Sequence, residues 1–286
     1  MTKVNERGES LEEFLRNYNA NSYPKAAITT DAVLFDVEEQ PQILLIKRKN
    51  HPCIGQWALP GGFLDVEEGL YQGVQRELVE ETHVRAQLEQ FYTFGDDPKR
   101  DKRDRVLTVA YTAFIKKDKV QIKADDDALD AKWFNIFRTE DIETIKNSYG
   151  QTELHRVTHY SFVSIDRSVS IIFDLHLTLV LDKIIQLSKR IEVIHKAGQE
   201  SLAFDHGEII DNALSYHMKK IEAEPLALSI LDEPFSMCAL QKIYEGIQNK
   251  DYSKAEFCSK LLGKGFLKKV DGGYAFDESW NLLNRR

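Results

Sequence analysis

The sequence is poor in cysteine. Cys53, Cys238 and Cys258 are the only three in 286 residues. Their spacing matches no zinc motif, and an odd, sparse set argues against a disulfide framework. Reduced thiols in a cytoplasmic protein are expected. No apolar run is long enough to cross a bilayer, and the opening stretch MTKVNERGESLEEFLRN is charged, without the apolar core of a signal peptide. No membrane partner is expected. Positive charge is not in excess either: 38 Lys and Arg stand against 46 Asp and Glu, a formal net charge of −8. A bulk field of that sign disfavours nucleic acid and leaves only a local patch to bind it. What is present, 42% hydrophobic and 10% aromatic residues, suits a folded chain long enough for two domains.

The stretch with most chemistry is GGFLDVEEGLYQGVQRELVEETHV, residues 61–84. Glu77, Glu80 and Glu81 are spaced i, i+3 and i+4, which places them on one face of a helix. Three like charges there repel, and a divalent cation is the natural compensation. Oxygen ligands suit Mg²⁺ or Mn²⁺ rather than zinc. Gly61 and Gly62 follow Pro60 and predict a sharp entry turn. Arg76 is spaced to pair with Glu80 or to reach back to Glu68. Leu70, Val74 and Leu78 would bury the opposite face. A solvated acidic helix is the plainer reading of E-x-x-E-E alone, but not of the whole pattern.

That pattern resembles the Nudix box: glycine, five residues, glutamate, seven residues, then Arg-Glu-aliphatic-any-Glu-Glu-any-Gly-aliphatic. Gly62, Glu68, Arg76, Glu77, Leu78, Glu80, Glu81 and Val84 stand in register. His83 departs from the usual glycine, at the position where a left-handed helix cap would be lost or strained. Arg48, Trp57 and Leu59 match a subset of Nudix proteins.

Along the chain, residues 9–18 read as a short amphipathic helix. Residues 26–36, 41–49, 87–95, 105–115 and 131–136 read as strands. A turn is expected at 38–40 and a further helix near 139–147. The charged run DDPKRDKRDR (96–105), taken alone, is a solvated loop. Strands around helices suggest an α/β/α sandwich with a mixed sheet over 20–150, the fold the resemblance also implies. Residues 151–225 read as a helical linker, with helices over 178–196 and 201–222. Asp205 and His206 at the second are read as capping or packing residues. Residues 226–286 read as a small α+β domain. Helices at 236–248 and 253–265 precede a hairpin at 266–276 with Asp271-Gly272 at its turn, and Ser253 with Glu256 forms a capping box. This is the outline of a winged helix-turn-helix.

The second half also resembles the Nudix-related transcriptional regulators of NAD metabolism, through WALPGGF (57–63), RDRVLTVAY (103–111), LAFDH (202–206) and LQKIYEGI (240–247). The helix that would read DNA departs from them. Where they carry arginines and an asparagine, this chain has Ala255, Glu256, Cys258 and Ser259, with only Lys254 and Lys260 basic. DNA affinity depends on cations meeting phosphates, so this is a weak footprint.

The resemblance implies an enzyme cleaving the diphosphate of ADP-ribose or a related nucleoside diphosphate derivative. Mg²⁺ or Mn²⁺ would be held by Glu77, Glu80, Glu81 and the Gly61 carbonyl, and a homodimer is expected. The family commonly draws a further carboxylate from outside the box. Asp125, Asp126 and Asp127 are placed for it, with Asp127 favoured, and the base is either Asp127 or a box glutamate. Arg48, Arg103 and Arg105 would grip phosphates or the terminal ribose. Trp57 or Phe94 would stack on adenine, unless both are core. The alternative is an ADP-ribose-responsive DNA-binding regulator that uses Lys254 and Lys260. The intact box favours the enzyme.

Overall fold

The computed structural model describes residues 3–37, 40–123, 128–223 and 230–277. A short helix α1 (Leu11–Asn17) opens it, capped by Ser10, whose hydroxyl and amide share the Glu13 side chain. Strands β1 (Ala27–Val37), β2 (Pro41–Arg48), β3 (Trp57–Ala58) and β4 (Gly61–Phe63) follow, then helix α2 (Leu70–Thr82), β5 (Glu89–Phe94) and β6 (Val106–Phe114). Strands β7 (Ala128–Lys146), β8 (Thr152–Ser164), β9 (Ser170–Asp182) and β10 (Ile185–His195) lead to helix α3 (His206–Ala223). Helices α4 (Met237–Gln248) and α5 (Lys254–Leu262) and the hairpin β11 (Leu267–Val270)–β12 (Gly273–Phe276) complete the described chain.

The large sheet runs β10-β9-β8-β7-β2-β1-β6-β5, with β3 added to β2 and β4 to β1. It is mixed: β1 pairs parallel with β6, and the other pairs are antiparallel. The centre of β1 is buried on both faces, which explains its nearly continuous apolar run. On one face Ala32, Leu34 and Leu44 meet Val74 and Leu78 of α2. Both helix side chains are fully buried, and each contributes about 2 kcal/mol. On the other face Val33, Phe35, Ile43 and Leu45 meet Ile209, Ile210, Ala213 and Leu214 of α3. The result is the α/β/α sandwich with a mixed sheet.

Two helices expected from the sequence are strands. In place of the helix near 139–147, β7 continues to Lys146, paired with β8 from Phe134–Ser164 to Lys146–Thr152. The second helical layer is supplied instead by α3. Residues 178–196 are the β9–β10 hairpin, and the bulge at Gln186/Ser188 shifts its alternation so that the summed pattern imitates a helix. Its turn places Lys183 at φ 56°, a left-handed position held without glycine or asparagine, so the usual breaker is missing. Over the described residues up to 223 the expected helical linker (151–225) is replaced: three strands extend the sheet and one helix covers it.

The last two helices and the hairpin pack around Leu240, Ile243, Tyr244, Phe257, Leu261 and Phe266, and this core continues into Ile221 of α3 and Val37 of β1. The order helix, helix, hairpin is the expected one. Ser253 caps α5 through the Glu256 amide and bonds the Glu256 carboxylate. Across the junction, the buried Arg138 donates to the Ile247 carbonyl at 2.9 Å, and Asn249 returns a bond to the Arg138 carbonyl at 3.2 Å. Among the described residues no helix is long and apolar enough to cross a membrane.

Candidate active site

The entry turn and α2 set the geometry. A Cβ at Gly61 would lie 2.2 Å from the Thr30 carbonyl oxygen, and one at Gly62 would lie 2.5 Å from the Glu77 carboxylate, so only glycine lets strand, turn and helix approach this closely. The Gly61 amide donates to Glu81 Oε2 at 2.8 Å. Arg76 gathers the acidic face: it donates to Glu68 at 2.6 and 3.2 Å, to Glu77 at 2.8 Å, to Glu80 at 3.1 Å and to the Phe63 carbonyl at 3.1 Å. These bonds hold the Glu68 carboxyl below its ordinary range and raise the guanidinium further above its own. The α2 C-cap is His83 at φ 61°, ψ 12°, whose amide bonds the Val79 carbonyl. The left-handed cap survives the loss of glycine, in a strained form.

These groups line a cavity of about 310 Å³. Glu77 and Glu81 line it together with Arg48, Arg76, Arg100 and Arg103. Glu81 is 5% exposed, and burial pushes its carboxyl up to about 8; burial also raises Glu77. Asp31, on the strand beside the turn, is likewise pushed by burial to about 7. Desolvated oxygen acids kept from ionising are what a hard divalent cation relieves, so the donor set fits such an ion. Among the described residues no three acidic, histidine or cysteine side chains already converge as a closed cage. Glu80 is turned to Arg76 and is not part of the cavity lining.

The arginines are preset. Arg48 donates to the Pro52 carbonyl at 2.9 Å and lies 5.0 Å from the centre of the Phe204 ring. Arg103 forks onto Asp101, with its shortest bond 2.7 Å, between the rings of Phe63 at 4.6 Å and Phe204 at 5.5 Å. Arg100 makes two 2.7 Å bonds to the Asp205 carboxylate and one to Thr108 Oγ1. A buried forked pair of this kind fixes the plane of the guanidinium.

Of the residues named from the sequence, Arg48, Gly61, Arg76, Glu77, Glu81 and Arg103 line this one cavity. Trp57 is not at the site. It is fully buried, edge-on to Phe134 at 4.9 Å, so it belongs to the core, as does Phe94. Arg105 is not in the lining either: it donates to the Gly95 and Asp97 carbonyls and braces the loop after β5. Asp125, Asp126 and Asp127 lie outside the described residues. Lys254 and Lys260 sit far along the chain on α5, and Lys260 stands 5.6 Å from the Tyr252 ring.

The lining also includes residues that the sequence does not single out as site residues, among them Asp31, Arg100, Phe204 and His206. Asp205 and His206 were visible as LAFDH, yet read only as packing. His206 does pack: its Nδ1 accepts the Leu59 amide at 2.8 Å, and burial lowers its pKa to about 3, so it stays neutral with Nε2–H toward Asp31 at 3.8 Å. It also walls the cavity. The segment is fixed by backbone bonds from Trp57 N to Ser201 O and from Ala203 N to Trp57 O, which no local pattern announces.

Residues 25–149 match the NUDIX domain model. The chain is 26% identical over 266 residues to the ADPR responsive transcriptional repressor NtrR of Acinetobacter baylyi, covering 92% of this chain and 82% of that one. It is 34% identical over 122 residues to an ADP-ribose pyrophosphatase of Methanocaldococcus jannaschii, 43% of this chain and 68% of that one. The crystal structure of a MutT/nudix family protein from Enterococcus faecalis superposes with a TM-score of 0.69 at 30% identity, covering 95% of both chains. With the glycine turn, the glutamate helix and its arginine in place, the chain belongs to the Nudix family.

Proposed function

We propose that the protein is a divalent-metal-dependent pyrophosphohydrolase acting on ADP-ribose or a related nucleoside diphosphate derivative. The observation that carries this reading is one cavity lined by half-buried Glu77, buried Glu81 and the oriented arginines Arg48, Arg100 and Arg103. Glu77, Glu81 and the Gly61 carbonyl would hold Mg²⁺ or Mn²⁺, with Glu80 held beside them by Arg76. When bound, the cation neutralises diphosphate charge and orients a water for attack on phosphorus. The chain's own residues do the rest. Arg48, Arg100 and Arg103 grip nonbridging oxygens in fixed planes. Arg76 keeps the glutamates in place, and the Phe204 ring packs against Arg48 and Arg103, with Phe63 also against Arg103.

The test is a substrate screen with Mg²⁺ and Mn²⁺ covering ADP-ribose, sugar nucleotides, dinucleoside polyphosphates and NADH. Metal-dependent release of two phosphomonoesters is expected, and the Glu80→Gln/Glu81→Gln double variant should lose it while keeping its fold. Undiminished turnover in that variant removes the glutamates from the chemistry.

A second reading is favoured by the repressor relative that matches nearly the whole chain. In it the same cavity binds ADP-ribose and biases the C-terminal unit against an operator, which requires coupling between two sites. Salt-dependent operator binding, lost in Lys254→Ala/Lys260→Ala, would support it. Hydrolysis without any operator affinity supports the enzyme alone.

A further inference from the structure

The large sheet ends at β10, and among the described residues nothing pairs with the outer edge of that strand. The opposite end of the sheet is guarded. There β5 is only six residues long and is tied to α3 by the Lys220–Glu89 ion pair and the contact of Phe91 with Tyr216. In contrast, β10 runs eleven residues, contains neither proline nor glycine, and exposes most of its side chains. Its bulge lies at Gln186/Ser188, so residues 188–195 form a regular stretch. A long, regular edge without such guards is a template for another strand.

The backbone groups of this edge have a fixed direction. The Lys196 amide donates to the Ile172 carbonyl at 3.2 Å, in line with the register that pairs His195 with Phe173. Backbone groups alternate along an antiparallel strand, so Arg190, Glu192 and Ile194 turn theirs to β9, while Lys189, Ile191 and Val193 turn N–H and C=O outward. A two-fold axis normal to the sheet keeps every side chain on its own face, so it must pass through a residue. Centred on Lys189, Arg190 or Glu192, it sets that charge against its own copy. Centred on Val193, it sets Arg190 opposite Lys196. Of these centres only Ile191 gives a match: isoleucine meets isoleucine on the axis, Lys189 lies opposite Val193, and Arg190 lies opposite Glu192 on both sides of the axis. The Arg190 and Glu192 side chains share one face, 3.6 Å apart, and are 80% and 56% exposed, so both are free to reach across.

From this self-complementarity we propose that the β10 edge docks a second copy of the chain, its β10 antiparallel and centred on Ile191, so that the two sheets become continuous. The occupant is a second copy because the charges on the edge match their own reversed order.

The experiment is sedimentation equilibrium of the full chain and of the variants Arg190→Glu, Glu192→Arg and Arg190→Glu/Glu192→Arg. The unmodified chain should dimerise. Each single variant should weaken the dimer by about tenfold, because both cross-axis pairs become like charges. The double exchange puts opposite charges back across the axis and should restore the affinity. Amide hydrogen exchange of the unmodified chain gives a reading that needs no variant: Lys189, Ile191 and Val193 should exchange faster on dilution below the dimer dissociation constant. A chain that stays monomeric up to its solubility limit overturns the proposal. So does a dimer indifferent to the single reversals, which then forms through another face. A double exchange no better than the singles, or outward amides unchanged by dilution, overturns it as well.

Discussion

Glu81 and Asp31 sit on either side of the Gly61 turn, and burial keeps both protonated well above their ordinary range. In the unfolded chain they ionise near 4.5 and 3.8; in the folded chain they hold their protons to about 8 and about 7. A raised folded pKa gives stability that is complete below the unfolded value and disappears as pH climbs through the folded one. The metal-free protein should therefore lose thermal stability between about pH 5 and pH 8. Glu81→Gln should flatten that decline, and Mg²⁺ should raise the melting temperature most at the alkaline end. An equal pH slope in the variant, read by differential scanning fluorimetry, would count against the assignment. At this scale the sequence was informative where chemistry is local. The box residues are close in sequence, and helix periodicity puts Glu77, Glu80 and Glu81 on one face. Arg100 was not legible, because its partner Asp205 lies 105 residues away. Trp57 could be assigned to ligand or to core only from the structure, because an aromatic beside a glycine turn looks the same in either place.

Among the elements, α2 carries a defect of its own. His83 holds a left-handed conformation that costs a side chain about 1–2 kcal/mol. His83→Gly should stabilise the protein by about 1 kcal/mol, read as a later midpoint in urea with unchanged slope. A loss of stability would mean that the imidazole makes contacts which outweigh the strain. The sheet was readable from alternation up to β7. Beyond it, the long strands β8 to β10 carry their apolar residues through a bulge and a turn built without glycine, and the two signals that separate strand from helix fail together. The stretch after Ile136 was lost for another reason: acidic residues interleaved with Thr139, Ile142 and Thr144 resemble an amphipathic helix, although the backbone pairs along its whole length with β8.

For the whole molecule, the C-terminal unit is docked rather than strung on. Arg138 is 8% exposed and spends one nitrogen on the Ile247 carbonyl and on Met218 Sδ. Arg138→Ala should cost about 2 kcal/mol, since removing a charged buried donor leaves its acceptor unpaired. Denaturant unfolding followed by two probes, one per unit, should then show transitions that no longer coincide. Coincident transitions would mean that α3 alone couples them. The strip from Ser201 to His206 lies beyond the matched family span, yet it holds Trp57 by two main-chain bonds and furnishes a wall of the cavity. A chain trimmed at that span would keep every glutamate of the box and still be crippled. Its buried indole would be bared to water, its arginines would lose the Phe204 ring, and the chamber would gape on one flank. The matched span, then, is smaller than the piece of this protein that closes the cavity.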